Sequence, residues 1–156
     1  MRKLGGLLPM NSAQSPAATV ERLGIGSEQF ILEVGFDDSD CDKSLRDAIT
    51  AKSGTQFLDA TAQEVVDVVI LWWRDGDGDL VDELVDALTY LTEDGPIWLL
   101  TPKVGRPGYV EASEIQDAAP TAGMSQTTSF PAAPDWTATR LIARHAGSNK
   151  KKPKTK

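Results

Sequence analysis

The chain has 156 residues, with 23 acidic and 16 basic side chains and a net charge of −7. At that length a single domain is expected, burying roughly 68–70% of its unfolded surface. No apolar run approaches the ~20 residues needed to span a bilayer, so membrane partners are not expected. One cysteine, Cys41, excludes an internal disulfide and fits a reducing, cytoplasmic setting.

The charge is unevenly spread. Five lysines, Lys150, Lys151, Lys152, Lys154 and Lys156, fall in the last seven residues, and all 23 acids precede them, so the body carries −12. An acidic body does not suit general binding to nucleic acid or anionic lipid. The tail alone could bind nucleic acid, although a solvated basic tail is the plainer reading. Residues 146–156 are read as a disordered Lys-rich tail and 1–14 as a disordered lead, leaving one domain over 15–145. The basic, apolar start is too short for a signal peptide, and Met10 is an alternative first residue.

Ser15 before Pro16 predicts a helix N-cap with proline at the first helical position, the helix ending at Gly24 or Gly26. Phe30–Phe36, FILEVGF, predicts a first strand, and Asp37–Asp42 an acidic loop. Leu45, Ala48 and Ile49 follow helical spacing, with Gly54 placed as the stop. Thr55–Leu58 predicts a short second strand. The six residues Asp59–Glu64 are few for a parallel return, so that strand is expected to fray or to pair in the opposite sense.

Val65–Trp73 is almost continuously apolar, as in a strand buried on both faces. Asp79 then caps a helix whose apolar side runs from Leu80 to Leu91, with Asp82, Glu83 and Asp86 between. Ile97–Pro102 is another buried strand. Ser113 with Gln116 resembles a capping box opening a helix that Pro120 and Gly123 end or kink. Ser125–Phe130 and Thr137–Arg144 predict two strands around PAAPD. Helices alternating with strands predict a three-layer α/β fold, its sheet mostly parallel, closed by an antiparallel hairpin.

In open α/β sheets, ligands bind beyond the carboxyl ends of the strands. That edge should gather Gly35, Asp37, Asp38, Asp59, Arg74, Asp75, Asp77, Lys103 and Arg106. Asp75, Asp77 and Asp79 invite a calcium reading, with Asp86 at position twelve of such a loop. Leu80 at position six and Asp82 at position eight break the pattern, so no metal is predicted. Asp79 is needed as a cap, leaving Asp75 and Asp77 over. Acids in GFDDSD would repel a phosphate. Cys41 lies among acids that raise a thiol's pKa, and His145, the only histidine, has no companion for metal or triad chemistry. Trp72 and Trp73 should point to opposite faces of one strand. Lys103 and Arg106, on a glycine- and proline-rich loop, are the best anion or partner contacts.

ILEVG, Asp59 ending the second strand, DVVILWW, GPIWLLTP and the ending with Trp136 and TATRLIA resemble the class I methyltransferase-like Rossmann fold in reduced form. The resemblance implies S-adenosylmethionine as cofactor and Asp59 at the ribose. Asp37 and Ser39 replace the second and third glycines of the turn, and the third strand with its helix is missing. A more specific similarity covers most of the chain. Arg22-Leu23-Gly24-Ile25, Val65–Leu88, Ile97–Gly108, Ala118–Thr127 and Asp135–Leu141 resemble segments of a small actinobacterial family of uncharacterised function. No catalytic set stands out. The expectation is therefore a non-catalytic binding or regulatory module with a protein partner and no resident cofactor. A divergent S-adenosylmethionine- or nucleotide-binding enzyme is the first alternative, and a nucleic-acid-associated protein acting through the tail the second.

Overall fold

A computed structural model of the chain describes residues 15–58 and 65–144. Met10, Asp59, His145 and the five tail lysines lie outside the described residues. Helix α1 (Pro16–Leu23) opens where the Ser15 side chain accepts a hydrogen bond from the Ala18 amide at 3.2 Å. It ends at Gly24, in the left-handed region at φ 73°. Strand β1 (Ile31–Val34) leads through the acidic loop to α2 (Lys43–Ser53), capped by Asp42 and stopped by Gly54. Strand β2 (Val68–Trp72) is buried throughout and feeds α3 (Leu80–Leu88), where Asp79 accepts from the Asp82 amide as the cap. Strand β3 (Ile97–Pro102), helix α4 (Ala112–Thr121) and the hairpin strands β4 (Met124–Ala133) and β5 (Trp136–Ala143) complete the domain.

The five strands form one sheet in the order β1-β2-β3-β5-β4. The first three are parallel, and β5 and β4 turn antiparallel. Helices cover both faces. Val20, Leu23, Leu45 and Ile49 of α1 and α2 pack on Ile31, Ile70 and Leu100. Leu80, Leu84 and Ile115 of α3 and α4 pack on Leu32, Val69 and Leu99. Trp72 and Trp73 divide between these two cores, as strand alternation requires. Because α2 leaves β1 for one face and α3 leaves β2 for the other, the loops part above the β1–β2 junction. That junction is the topological switch point.

Several expected boundaries move. Thr55–Leu58 contributes a single parallel bridge, Leu58 to Leu32, rather than a full strand. Val66 pairs with Leu91, and the Asp67 carboxylate accepts from the Phe30 amide at 2.8 Å, so β2 begins only at Val68. That same bridge draws Leu91 out of α3, which stops at Leu88. Ser113 is not a cap: α4 starts at Ala112, soon after buried Val110, with Glu111 in the cap position and no side-chain capping bond. The PAAPD segment is mostly strand. Ala132 and Ala133 are buried, and the Ala132 carbonyl accepts from the Thr19 hydroxyl, leaving Pro134 and Asp135 as the turn. Among the described residues no helix is long and apolar enough to cross a membrane.

Candidate functional site

The carboxyl ends of β1, β2 and β3 deliver three loops to one edge. Gly35 follows β1 at φ 84°. A Cβ there would stand 2.3 Å from the Trp72 carbonyl oxygen. The close approach of β2 therefore requires this glycine, independently of any ligand.

Arg74, the first residue beyond Trp73, turns back over this junction. Its Nε and Nη2 each donate to one oxygen of Asp40 at 2.8 Å. Its Nη1 donates to the carbonyls of Gly35 at 2.9 Å and Trp72 at 3.3 Å. The guanidinium lies 2.9 Å from Cys41 Sγ and over the ring of Trp136. Asp77 accepts from the Arg74 amide at 3.0 Å and makes a second, longer ion pair with the side chain. The Trp136 indole donates to the Asp40 backbone carbonyl, fixing the loop from the hairpin side. The switch point is thus bridged by a planar, two-pronged ion pair built from the chain itself, beside an open pocket of about 350 Å³ lined by Asp40, Cys41, Arg106 and Trp136.

The electrostatics follow this geometry. Hydrogen bonding to Arg74 holds the Asp40 carboxyl below its ordinary range and raises the guanidinium pKa further. Asp37 is lowered too, because its carboxylate accepts from the Ser39 amide and hydroxyl in a local turn. Burial pushes the Cys41 thiol up to about 12, outweighing the nearby positive charge. The shift therefore comes chiefly from burial and not from the acidic neighbours. Its alkylation by iodoacetamide at pH 8 is expected to be at least about tenfold slower than that of glutathione, because the thiolate is the reactive form. A mass-spectrometric time course measures this.

Glu33, two residues before Gly35, is committed elsewhere. Its side chain is only 6% exposed, accepts from Arg46 Nε and from the Trp72 indole, and is ion-paired to Arg46 at 2.8 Å. Arg46 in turn lies over the rings of Phe36 and Phe57. The remaining sequence-predicted residues separate. Asp75 is exposed, and its amide donates to Gly108. Asp38 is also exposed. Arg106 pairs with Asp135 at 3.2 Å. Lys103 is half-buried, with no ion pair among the described residues. Among those residues no three His, Cys, Asp or Glu side chains converge to hold a metal ion. Asp77 faces Arg74 and Asp79 faces the α3 amide, so of the three aspartates in the run only Asp75 presents its carboxylate to solvent without a bond among the described residues.

Asp40 and Trp136 are site residues that the sequence reading does not single out. A signal for Asp40 exists: the loop after β1 has four aspartates, and Arg74 is the only basic residue between Lys52 and Lys103.

The fold is a mixed α/β, methyltransferase-like Rossmann fold. A SAM-dependent methyltransferase from Aquifex aeolicus superimposes with a TM-score of 0.59 at 10% identity, over 86% of this chain and 94% of that one. An O-methyltransferase from neocarzinostatin biosynthesis, in complex with S-adenosyl-L-homocysteine and 1,4-dihydroxy-2-naphthoic acid, gives 0.57 at 13% identity, over 81% and 52%. At such identities the likeness is one of fold. Among sequence relatives, an uncharacterised protein of Mycobacterium tuberculosis (strain ATCC 25618 / H37Rv) is 49% identical over 130 residues, covering 83% of this chain and 81% of the relative. Residues 20–145 match the family described as "Protein of unknown function (DUF3052)". With that match over most of its length and close relatives among mycobacteria, the chain belongs to the DUF3052 family.

Proposed function

We propose that this domain is a non-catalytic binding module that engages a protein partner through its strand-end surface. The contact surface comprises exposed Asp75, its neighbour Asp77, and the loop carrying Lys103 and Arg106. The observation that carries this reading is the Arg74–Asp40 pair. In a doubly wound sheet the switch-point crevice receives the small ligand. Here a guanidinium, a carboxylate and two strand-end carbonyls bind one another across the β1–β2 junction, and the cavity of about 350 Å³ beside them is lined by Asp40, Cys41, Arg106 and Trp136. The flanking loops remain open to a larger partner.

The test is crosslinking and affinity capture of the full-length protein from cells that express it, repeated with the Asp75→Asn, Asp77→Asn double variant. The asparagine side chain at position 77 keeps an oxygen able to accept from the Arg74 amide, so the loop is expected to survive. Loss of specific partners in the variant supports the surface. Retention of every partner removes it.

The fold likeness to SAM-dependent methyltransferases favours a second reading, a divergent S-adenosylmethionine-binding enzyme. Engagement of Arg74 by Asp40 and the two strand-end carbonyls, and aspartate and serine at positions 37 and 39, speak against it. Neither S-adenosylmethionine nor S-adenosylhomocysteine, at about 1 mM, is expected to raise the melting temperature. A Kd of about 1 mM or tighter would be expected to stabilise measurably at that concentration. A rise of several degrees would reverse the order of the two readings.

A further inference from the structure

An open pocket of about 490 Å³ lies beside the strand-end surface, between the hairpin and the start of α4. Its size falls in the range of small-molecule sites. The floor is made of hydroxyls on three adjacent strands. Thr101 of β3 stands opposite Thr137 of β5, and Thr139 of β5 opposite Ser129 of β4. Ser129 and Thr139 share a hydrogen bond at 3.3 Å.

Thr101 is different. It is 4% exposed and lines the pocket, and its hydroxyl has no hydrogen-bond partner among the described residues. A buried hydroxyl without a partner is uncommon and costs free energy unless something else satisfies it. The wall is apolar, formed largely by Val110, Ile115 and Tyr109.

Two features at the rim select charge. Lys103 lines the pocket, and no carboxylate among the described residues pairs with it. Helix α4 begins at Ala112, also on the rim, and its first turn lacks a side-chain cap. Uncapped first-turn amides favour negative charge. Of the acids nearby, Glu114 lines the opposite cleft against α3, and Glu111 is exposed.

We propose that this pocket binds a small carboxylate with a flat apolar body. The carboxylate is held by Lys103 at the α4 N-terminus, the body lies on Val110 and Ile115, and Thr101 supplies the buried hydrogen bond. The proposal goes beyond the partner-binding reading and does not depend on it.

The experiment is a titration of the full-length, ¹⁵N-labelled protein with benzoate, followed by amide chemical shifts. Benzyl alcohol serves as the neutral analogue and acetate as the anion without a body. Saturable shifts are expected with benzoate at the amides of residues 101, 103–104, 109–115 and 137–139, with much weaker responses to the other two probes. Lys103→Gln is expected to weaken benzoate about tenfold, the equivalent of one charge-assisted contact. Thr101→Val keeps the shape and removes the hydroxyl, and a several-fold loss is expected in a protein at least as stable as the parent. No saturation by about 20 mM benzoate, equal binding of benzyl alcohol, or unchanged affinity in either variant would overturn the proposal. None of these results bears on partner capture, which reads Asp75 and Asp77.

Discussion

Replacing Arg74 by Met is expected to cost about 2 kcal/mol of stability, measured by urea denaturation. The change removes a largely buried guanidinium and leaves the Asp40 carboxylate and the carbonyls of Gly35 and Trp72 without their shared donor. The cost falls mainly on the two strand-end carbonyls that lose their donor and on the lost packing over Trp136, because the Asp40 carboxylate is 43% exposed and open to water. Lysine should not restore it, since a point charge cannot reach two carboxylate oxygens and two carbonyls at once. The pH dependence supplies a second check. The Asp40 carboxyl titrates below its ordinary value of 3.8 in the folded protein because it accepts from Arg74. The contribution of the pair is therefore complete above that value and is lost as pH falls through the folded one. In Arg74→Met this part of the acid-side loss should disappear, giving a flatter stability curve as the pH falls below about 4. An acid limb identical to that of the parent would show that Arg74 does not stabilise the Asp40 anion.

Gly35→Ala is expected to be at least as damaging, at roughly 3 kcal/mol or more, read as a fall of about 10 °C in melting temperature. Two costs add. Alanine must adopt a φ of 84°, and its Cβ would come within 2.3 Å of the Trp72 oxygen. Relief requires β1 and β2 to separate at their carboxyl ends, where Arg74 bridges the same two carbonyls. Gly76→Ala is the control: its φ is also positive, at 98°, but nothing lies within 4 Å of the added carbon. It should cost only the backbone strain, about 1 kcal/mol. Equal losses in the two variants would mean that strand contact at Gly35 contributes nothing.

The elements legible in the sequence are those whose signal is local. The Asp79 cap, the Ser15–Pro16 start and the Gly24 and Gly54 stops all appear as written, and the apolar run ending in Trp72 and Trp73 does so apart from its first residues, because each depends on neighbours within one turn or one strand. The errors concern distant partners. Leu91 continues the helical spacing of α3 but is drawn off by Val66, 25 residues earlier in the chain. Ser113 has the spacing of a cap, yet burial of Val110 sets the start of α4. Within the site, Arg74, Asp77 and Gly35 are legible in the sequence, whereas Asp40 and Trp136 are not, since their roles arise only when three loops meet.

Burial pattern, caps and glycine stops are enough to specify a doubly wound sheet with an antiparallel hairpin, and therefore which loops share the strand-end edge. They cannot specify what those loops do to one another. By sequence Arg74 is available for a ligand; the fold places Asp40, 34 residues away, and two strand-end carbonyls around it. By sequence Lys103 and Arg106 are equivalent; the fold pairs Asp135 with Arg106 and leaves Lys103 at the rim of an apolar pocket. The reason is physical: charge pairing and desolvation depend on distances in space of a few ångströms, and only the packed sheet sets those distances.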